Sequence, residues 1–244
     1  RKLNGELGVI FVNTFISALL FRLGNVKKNI GYNREGRGFL LDFSLEINYH
    51  KHYINRYAFL FNEYIGNKYV YLPELSLRHT GQKTFQFDNS HKTIALYLGG
   101  ENKEFRKYPD EYAVQLLRLL NRQGYNLLLI GDENDNIKHT QYAEEARIDH
   151  LINLTARTTI EGFINTIANV DLIITIDSSA LHIAAAVKTP FIALMGLSTS
   201  PTSTILPKVP LGRILKIENN LIREEDYIRN ITPDLILKTI SELI

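Results

Sequence analysis

Between residues 93 and 196 the chain alternates short, wholly apolar runs with longer segments that are apolar on one side only. Residues 93–98 (TIALYL), 126–130 (NLLLI), 151–154, 171–176 (DLIITI) and 191–194 are strand-length and rich in Ile and Leu. Between them the apolar positions shift to a helical period: Ala113, Leu116, Leu117 and Leu120 in one segment, Ile160, Phe163, Ile164 and Ile167 in another. Pro109-Asp110-Glu111 suits a helix start, with proline at the first position and acids opposing the dipole. Thr158 and Glu161 have the spacing of a capping box. A small-residue helix spans 178–187, and Ala184-Ala185-Ala186 lets it lie close to a sheet. Five strands joined by helices at this spacing predict right-handed βαβ units and a doubly wound parallel sheet.

The first ninety or so residues are less regular. The pattern predicts a strand over 7–12, a helix over 17–23, and a basic loop punctuated by Gly31, Gly36 and Gly38. An aromatic-rich helix follows over 53–64, and the polar stretch 76–90 reads as a connection. Near the end, Thr232-Pro233-Asp234 caps a helix carrying Leu235, Ile236, Ile240 and Leu243. The expected organisation is a partial α/β domain over 1–90, a Rossmann-like domain over 91–215, and a tail with a helix over 216–244. The chain starts at Arg1, directly before sequence of mid-domain character, and a fragment is expected.

Composition narrows the classes. At 45% hydrophobic and 22% charged, the 244 residues are those of an ordinary globular protein. A net charge of +2, with no long basic block, gives no footprint for nucleic acid. There is no cysteine, hence no disulfide or thiolate metal site. No apolar run reaches the roughly 18 residues of a membrane-spanning helix, and no cleavable leader is evident. A cytoplasmic protein is expected. GxGxxG, P-loop, HExxH and GxSxG patterns are all missing, and the close pair His50 and His52 reads as a surface or cap feature rather than a metal site.

In an open parallel sheet, ligands enter beyond the carboxyl ends of the strands. The turns there contain Gly99-Gly100, Gly131-Asp132, 155–158, Asp177-Ser178 and 196–199. Glycines permit close backbone approach, and helix starts offer amides to phosphate. Asp177-Ser178-Ser179-Ala180-Leu181-His182 sits between a strand and a helix start. It reads either as a donor-binding turn, with Asp177 on sugar hydroxyls and the Ser178 and Ser179 amides on pyrophosphate, or as a plain helix cap. Arg106 and Lys107 read either as counter-charges to a diphosphate or as a solvated basic turn. The acids of Asp132-Glu133-Asn134-Asp135 suit a ribose diol or an acidic surface turn.

The string of motifs resembles glycosyltransferase family 9, the bacterial lipopolysaccharide heptosyltransferases, over nearly the whole chain. Asn13-Thr14-Phe15 with Ser17-Ala18-Leu19-Leu20 is similar to the family's "NSFRSALL". Ile30-Gly31-Tyr32 and Arg34-Glu35-Gly36-Arg37-Gly38 are similar to "IGYRREGRG", and His52 and Tyr57 match the next helix. Further on, Leu98-Gly99-Gly100 resembles "NPGA", and Arg106 falls on the phosphate-binding lysine of "KxWP", with Tyr108 for its tryptophan. Gly131 and the acids after it resemble "GGPxE", Arg157-Thr158-Thr159 resembles "GKTS", and 177–182 resembles "NDSGPMH". Gly196-Leu197-Ser198-Thr199 stands at the family's "GPTDP".

The resemblance implies a GT-B-like fold of two Rossmann-like domains, the N-terminal one incomplete here. It implies inverting, metal-independent transfer from a nucleotide-sugar donor, ADP-heptose, to a lipid A–Kdo core acceptor, without a cofactor. Peripheral association with the inner membrane follows from the same resemblance. The implied donor residues are Gly99, Gly100, Arg106, Lys107, Glu133, Asp135, Thr158, Asp177, Ser178, Ser179 and His182, with Glu133 or Asp135 on the ribose. The family's Gly-Asp loop, which carries its carboxylate base, has no counterpart in these residues, so no catalytic residue is assigned. Ser179 replaces a motif glycine, and a non-catalytic relative or a different nucleotide sugar are the alternatives.

Overall fold

The computed structural model describes residues 3–69, 75–87, 91–196, 206–207, 209–217 and 223–244. Contacts divide the chain into two compact units, Arg1–Pro73 with Ser200–Leu206, and Glu74–Thr199 with Pro207–Ile244.

The first unit runs β1 (Leu7–Ile10), α1 (Phe15–Leu23), β2 (Lys28–Asn33), a 3-10 turn (Arg37–Leu40), β3 (Phe43–Glu46) and α2 (Tyr53–Tyr64). Its strands are parallel in the order β1-β2-β3. The stretch around Gly31 that reads as a basic loop is therefore the central strand, with Ile30 and Tyr32 buried in it. Arg37 is 0% exposed. Its Nε donates to Tyr32 O at 2.9 Å, Nη1 to Thr14 O at 3.1 Å and Ser17 Oγ at 3.0 Å, and Nη2 to Asn13 Oδ1 at 3.0 Å. A guanidinium with its donors satisfied tolerates burial that a lone charge would not. The motif resembling "REGRG" thus ties the ends of β1 and β2 to the start of α1.

The second unit runs β4 (Thr93–Tyr97), α3 (Asp110–Arg122), β5 (Asn126–Leu129), α4 (Asn136–Ala146), β6 (Leu151–Asn153), α5 (Ile160–Ala168), β7 (Leu172–Ile176), α6 (Ser179–Val187), β8 (Phe191–Leu194), β9 (Gly212–Leu215) and α7 (Pro233–Ile240). All six strands are parallel, in the order β6-β5-β4-β7-β8-β9. β9 is an addition to the five strands expected from the pattern. It fits beside β8 because Gly212 lacks a side chain: a Cβ there would stand 2.0 Å from the Phe191 ring.

β4, β5, β7 and β8 are buried along their whole length, as strands covered on both faces must be. α3 packs Ala113, Leu116, Leu117 and Leu120 into this core, and Ile236 and Ile240 of α7 join it. The Tyr108 hydroxyl donates to Ile231 O at 2.8 Å in the interior, so the last residues are fastened to this unit. The polar stretch before β4 is laid along α5 and α6: Leu77 N donates to Ala186 O, and Asn165 Nδ2 to Thr80 Oγ1. α5 is capped by Thr159, whose Oγ1 accepts from Gly162 N at 3.1 Å, one residue later than the expected Thr158.

Candidate functional site

In the second unit the chain winds outward from β4 in both directions, through β5 to β6 and through β7 to β9. The switch point lies between β4 and β7, whose carboxyl ends lead into Gly99-Gly100 and Asp177-Ser178. Tyr97 stands opposite Thr175 in the register, so 98–100 run beside 176–178. The turns interlock through their glycines. Gly99 has φ +79°, and a Cβ on it would meet Ile176 Cδ1 at 2.7 Å. A Cβ on Gly100 would stand 2.5 Å from Asn134 O and 2.7 Å from Asp135 Cα, which brings the turn after β5 against the turn after β4. Ala156 N donates to Gly131 O at 3.2 Å, adding the turn after β6. A Cβ on Gly196 would approach Phe105 O to 2.7 Å, adding the turn after β8. Leu197, Ser198 and Thr199 of that turn lie outside the described residues.

The acids after β5 divide their roles. Asp132 caps the 3-10 turn Glu133–Asp135, with Oδ1 accepting from Asn134 N at 2.8 Å. Asp135 Oδ2 accepts from Asp132 N at 3.0 Å, and Asp135 is 0% exposed. Asp135 therefore braces the turn through Oδ2, while its Oδ1 is buried with no hydrogen-bond partner among the described residues. Glu133 is exposed. A cation that the motifs did not single out completes the group: Lys103 Nζ lies 3.0 Å from Asp132 Oδ2, which also accepts from the Tyr97 hydroxyl at 3.4 Å. Burial pushes the Asp132 carboxyl up, but Lys103 and the Asn134 amide together outweigh it and hold its pKa below the usual range. Burial, seconded by Asp135 and Asp132, raises the Tyr97 phenol, so it stays a donor.

On the β7 side, Ser178 caps α6, its Oγ accepting from Ala180 N at 3.2 Å and sharing a hydrogen bond with Thr175 Oγ1 at 3.0 Å. Its hydroxyl thus has the plain capping role. Ser179 is exposed as the first residue of α6, while Asp177 just before the cap and His182 one turn in are half-buried. Thr158, also half-buried, sits in the turn after β6.

The two cations before α3 part company. Arg106 is half-buried at the end of the 3-10 turn Glu101–Arg106, with no ion pair among the described residues. Lys107 pairs with Asp110 at 2.8 Å. Asp110 also binds Lys138 at 3.0 Å and the Tyr142 hydroxyl at 2.6 Å. Burial alone would raise the Asp110 carboxyl; the three donors bring its pKa to about 2. Lys107 lines a cavity of about 280 Å³ shared with Glu111, Asp226 and Arg229, and its charge is compensated there by Asp110. A larger cavity of about 610 Å³ opens at the other end of the sheet, by Thr93, Asn126 and Asp171 at the amino ends of β4, β5 and β7. Among the described residues no group of three or more His, Asp or Glu side chains could hold a metal.

An open sheet wound both ways from β4, with glycine turns and hydroxyl- and acid-bearing strand ends, places the second unit in the doubly wound α/β class. The model of glycosyltransferase family 9 (heptosyltransferase) matches residues 4–225, and the chain belongs to that family. It is 31% identical to lipooligosaccharide heptosyltransferase 2 of Haemophilus influenzae, over 62% of this chain and 47% of that protein. It is 24% identical to the Haemophilus ducreyi enzyme of the same name, over 98% of this chain and 76% of that one. The solved ADP-heptose lipopolysaccharide heptosyltransferase II of E. coli superposes with a TM-score of 0.80 at 22% identity, covering 98% of this chain and 76% of that one. The chain thus spans about half of the first relative and three quarters of the other two. The α/β, GT-B-like fold class expected from the sequence is borne out.

Proposed function

We propose that the second unit holds the nucleotide-sugar donor of a heptosyltransferase, ADP-heptose, and that the intact protein transfers the heptose to a lipopolysaccharide inner-core acceptor. The observation that carries this reading is the interlocking of the glycine turns after β4 and β5 beside the start of α6 at the switch point. In the reaction an acceptor hydroxyl attacks the anomeric carbon, the bond from that carbon to the diphosphate oxygen breaks, and the hydroxyl proton passes to a base. ADP leaves with one more negative charge than it carried as an ester. Arg106 and the first-turn amides of α6 are the groups on this unit suited to meet that charge, without a metal. Glu133 is exposed and Asp132 partly so, and both stand in the turn that would meet the ribose; Thr158 is assigned to the base, and Asp177 and His182 to the sugar and its phosphate.

In support of this reading, each of the three relatives is named a lipooligosaccharide or lipopolysaccharide heptosyltransferase, and the E. coli one is named for ADP-heptose. Among the described residues no helix is long and apolar enough to cross a membrane. Calorimetry of the chain with ADP, GDP and UDP tests the reading. ADP is expected to bind in the micromolar range, and Asp177→Ala to weaken it roughly tenfold. A chain that binds none of the three diphosphates would overturn the assignment.

A further inference from the structure

Deepening that reading, and resting on it, is the ion pair between Lys103 and Asp132. Lys103 follows Gly99-Gly100 in the turn after β4, where a diphosphate meets backbone in this class of sheet. Asp132 stands in the turn after the second strand of the unit, where such sheets place the acid that accepts from a ribose. The two side chains lie 3.0 Å apart, 19% and 47% exposed. The lysine stem lies across the Gly99 backbone, its Cγ 3.1 Å from where a Cβ would stand, and its ammonium is 5.7 Å from the centre of the Tyr97 ring.

Asp132 already accepts from Asn134 N, Lys103 Nζ and the Tyr97 hydroxyl. Among the described residues Oδ1 accepts only from Asn134 N and has a place left, but Oδ2 already takes both Lys103 and Tyr97, so a diol that spans the two oxygens must displace one partner of Oδ2. The backbone amide and the buried phenol are fixed, whereas the lysine is a flexible stem ending in a point charge. The ion pair is partly exposed and contributes little to stability, so exchanging it is cheap. Of the two acids expected on the ribose, Asp135 is buried beneath the turn and Glu133 is exposed beside Asp132.

We propose that Lys103 and Asp132 form a latch that the donor opens: the ribose diol takes the Asp132 carboxylate, and the released Lys103 ammonium takes the diphosphate. The latch favours ligands that carry both groups. A nucleoside without phosphates must displace Lys103 with nothing to receive it, and a bare diphosphate leaves Asp132 without the diol.

The test is calorimetry on the full chain with ADP and 2′,3′-dideoxy-ADP at several salt concentrations. The wild type is expected to prefer ADP. Asp132→Asn should abolish that preference. Lys103→Met should keep it but bind both nucleotides roughly tenfold more weakly, with a shallower salt dependence, and Lys103→Arg should restore the affinity. Circular dichroism and melting temperature confirm that each variant is folded. An Asp132→Asn protein that still prefers ADP overturns the latch, as does a Lys103→Met protein matching wild type in affinity and salt slope. If the wild type itself binds no nucleoside diphosphate, the donor-site reading falls, and the latch with it.

Discussion

His139 on α4 is 0% exposed, with Nδ1 2.8 Å from Thr155 Oγ1 and Nε2 without a hydrogen-bond partner among the described residues. Burial lowers its pKa from 6.5 to about 4. Below the unfolded value the unfolded chain takes up a proton that the folded chain refuses until about pH 4. The contribution of neutral His139 is therefore fully present above the unfolded pKa and is lost as the pH falls toward the folded one. Stability is expected to drop by about 2 kcal/mol between pH 7 and pH 5 on this account. Asp110, with its lowered pKa, loses its contribution only at pH values below the unfolded carboxylate range and does not act in this window. His139→Asn keeps a partner for the Thr155 hydroxyl and removes the titration. Urea unfolding followed by circular dichroism at the two pH values should show the variant losing about 2 kcal/mol less than wild type. Equal losses would mean that His139 is protonated as readily in the folded chain as in the unfolded one.

At the scale of elements, the turns after β4 and β5 touch through a glycine that has no substitute. Gly100→Ala would drive a Cβ against the backbone of Asn134 and Asp135, which cannot swing away as a side-chain tip would. The expected result is a loss of about 1–3 kcal/mol in stability and an ADP affinity weakened at least roughly tenfold, read by melting and calorimetry. Gly36→Ala is the comparison: nothing lies within 4 Å of its Cβ position, so only its positive φ of +69° resists. It should cost about 1–2 kcal/mol in the first unit and leave ADP binding unchanged. A Gly100→Ala protein that binds ADP normally would mean that the two turns do not share a ligand.

The same elements show what could be read from sequence. β4, β5, β7 and β8 are apolar runs because both faces are buried, so their order and type were legible. β2 was not, because KNIGYN carries a Lys, two Asn and a Gly, and Gly31 packs against buried Arg37 and Leu41, 3.3 and 3.4 Å from where a Cβ would stand. β9 was not, because four partly exposed residues have no periodicity of their own and depend on Phe191 being opposite Gly212. In the site, the run of acids after β5 was visible, but which carboxylate turns inward depends on a cap formed in three dimensions. Lys103 was missed because its partner lies on a different turn, after the next strand.

At the scale of the molecule, the chain is two compact units, and the candidate turns belong entirely to the second. That unit has its own core, reaching from α3 to α7 through the sheet, while Ile10, Ala18 and Leu41 centre a cluster in the first. A ligand that binds only the folded second unit adds its binding free energy to the opening of that unit and to nothing that opens separately. With ADP at a hundredfold its dissociation constant, the addition is about 2.7 kcal/mol. Hydrogen exchange should therefore show the slowest amides of β4, β5 and β7 protected about 100-fold more with ADP, while those of β1, β2 and β3 keep their rates. An equal rise in both sheets would show that the two units unfold as a single cooperative body, and the donor would then stabilise a surface it never touches. A rise confined to β1–β3 would place the nucleotide on the first unit and remove the switch point of the second as its site.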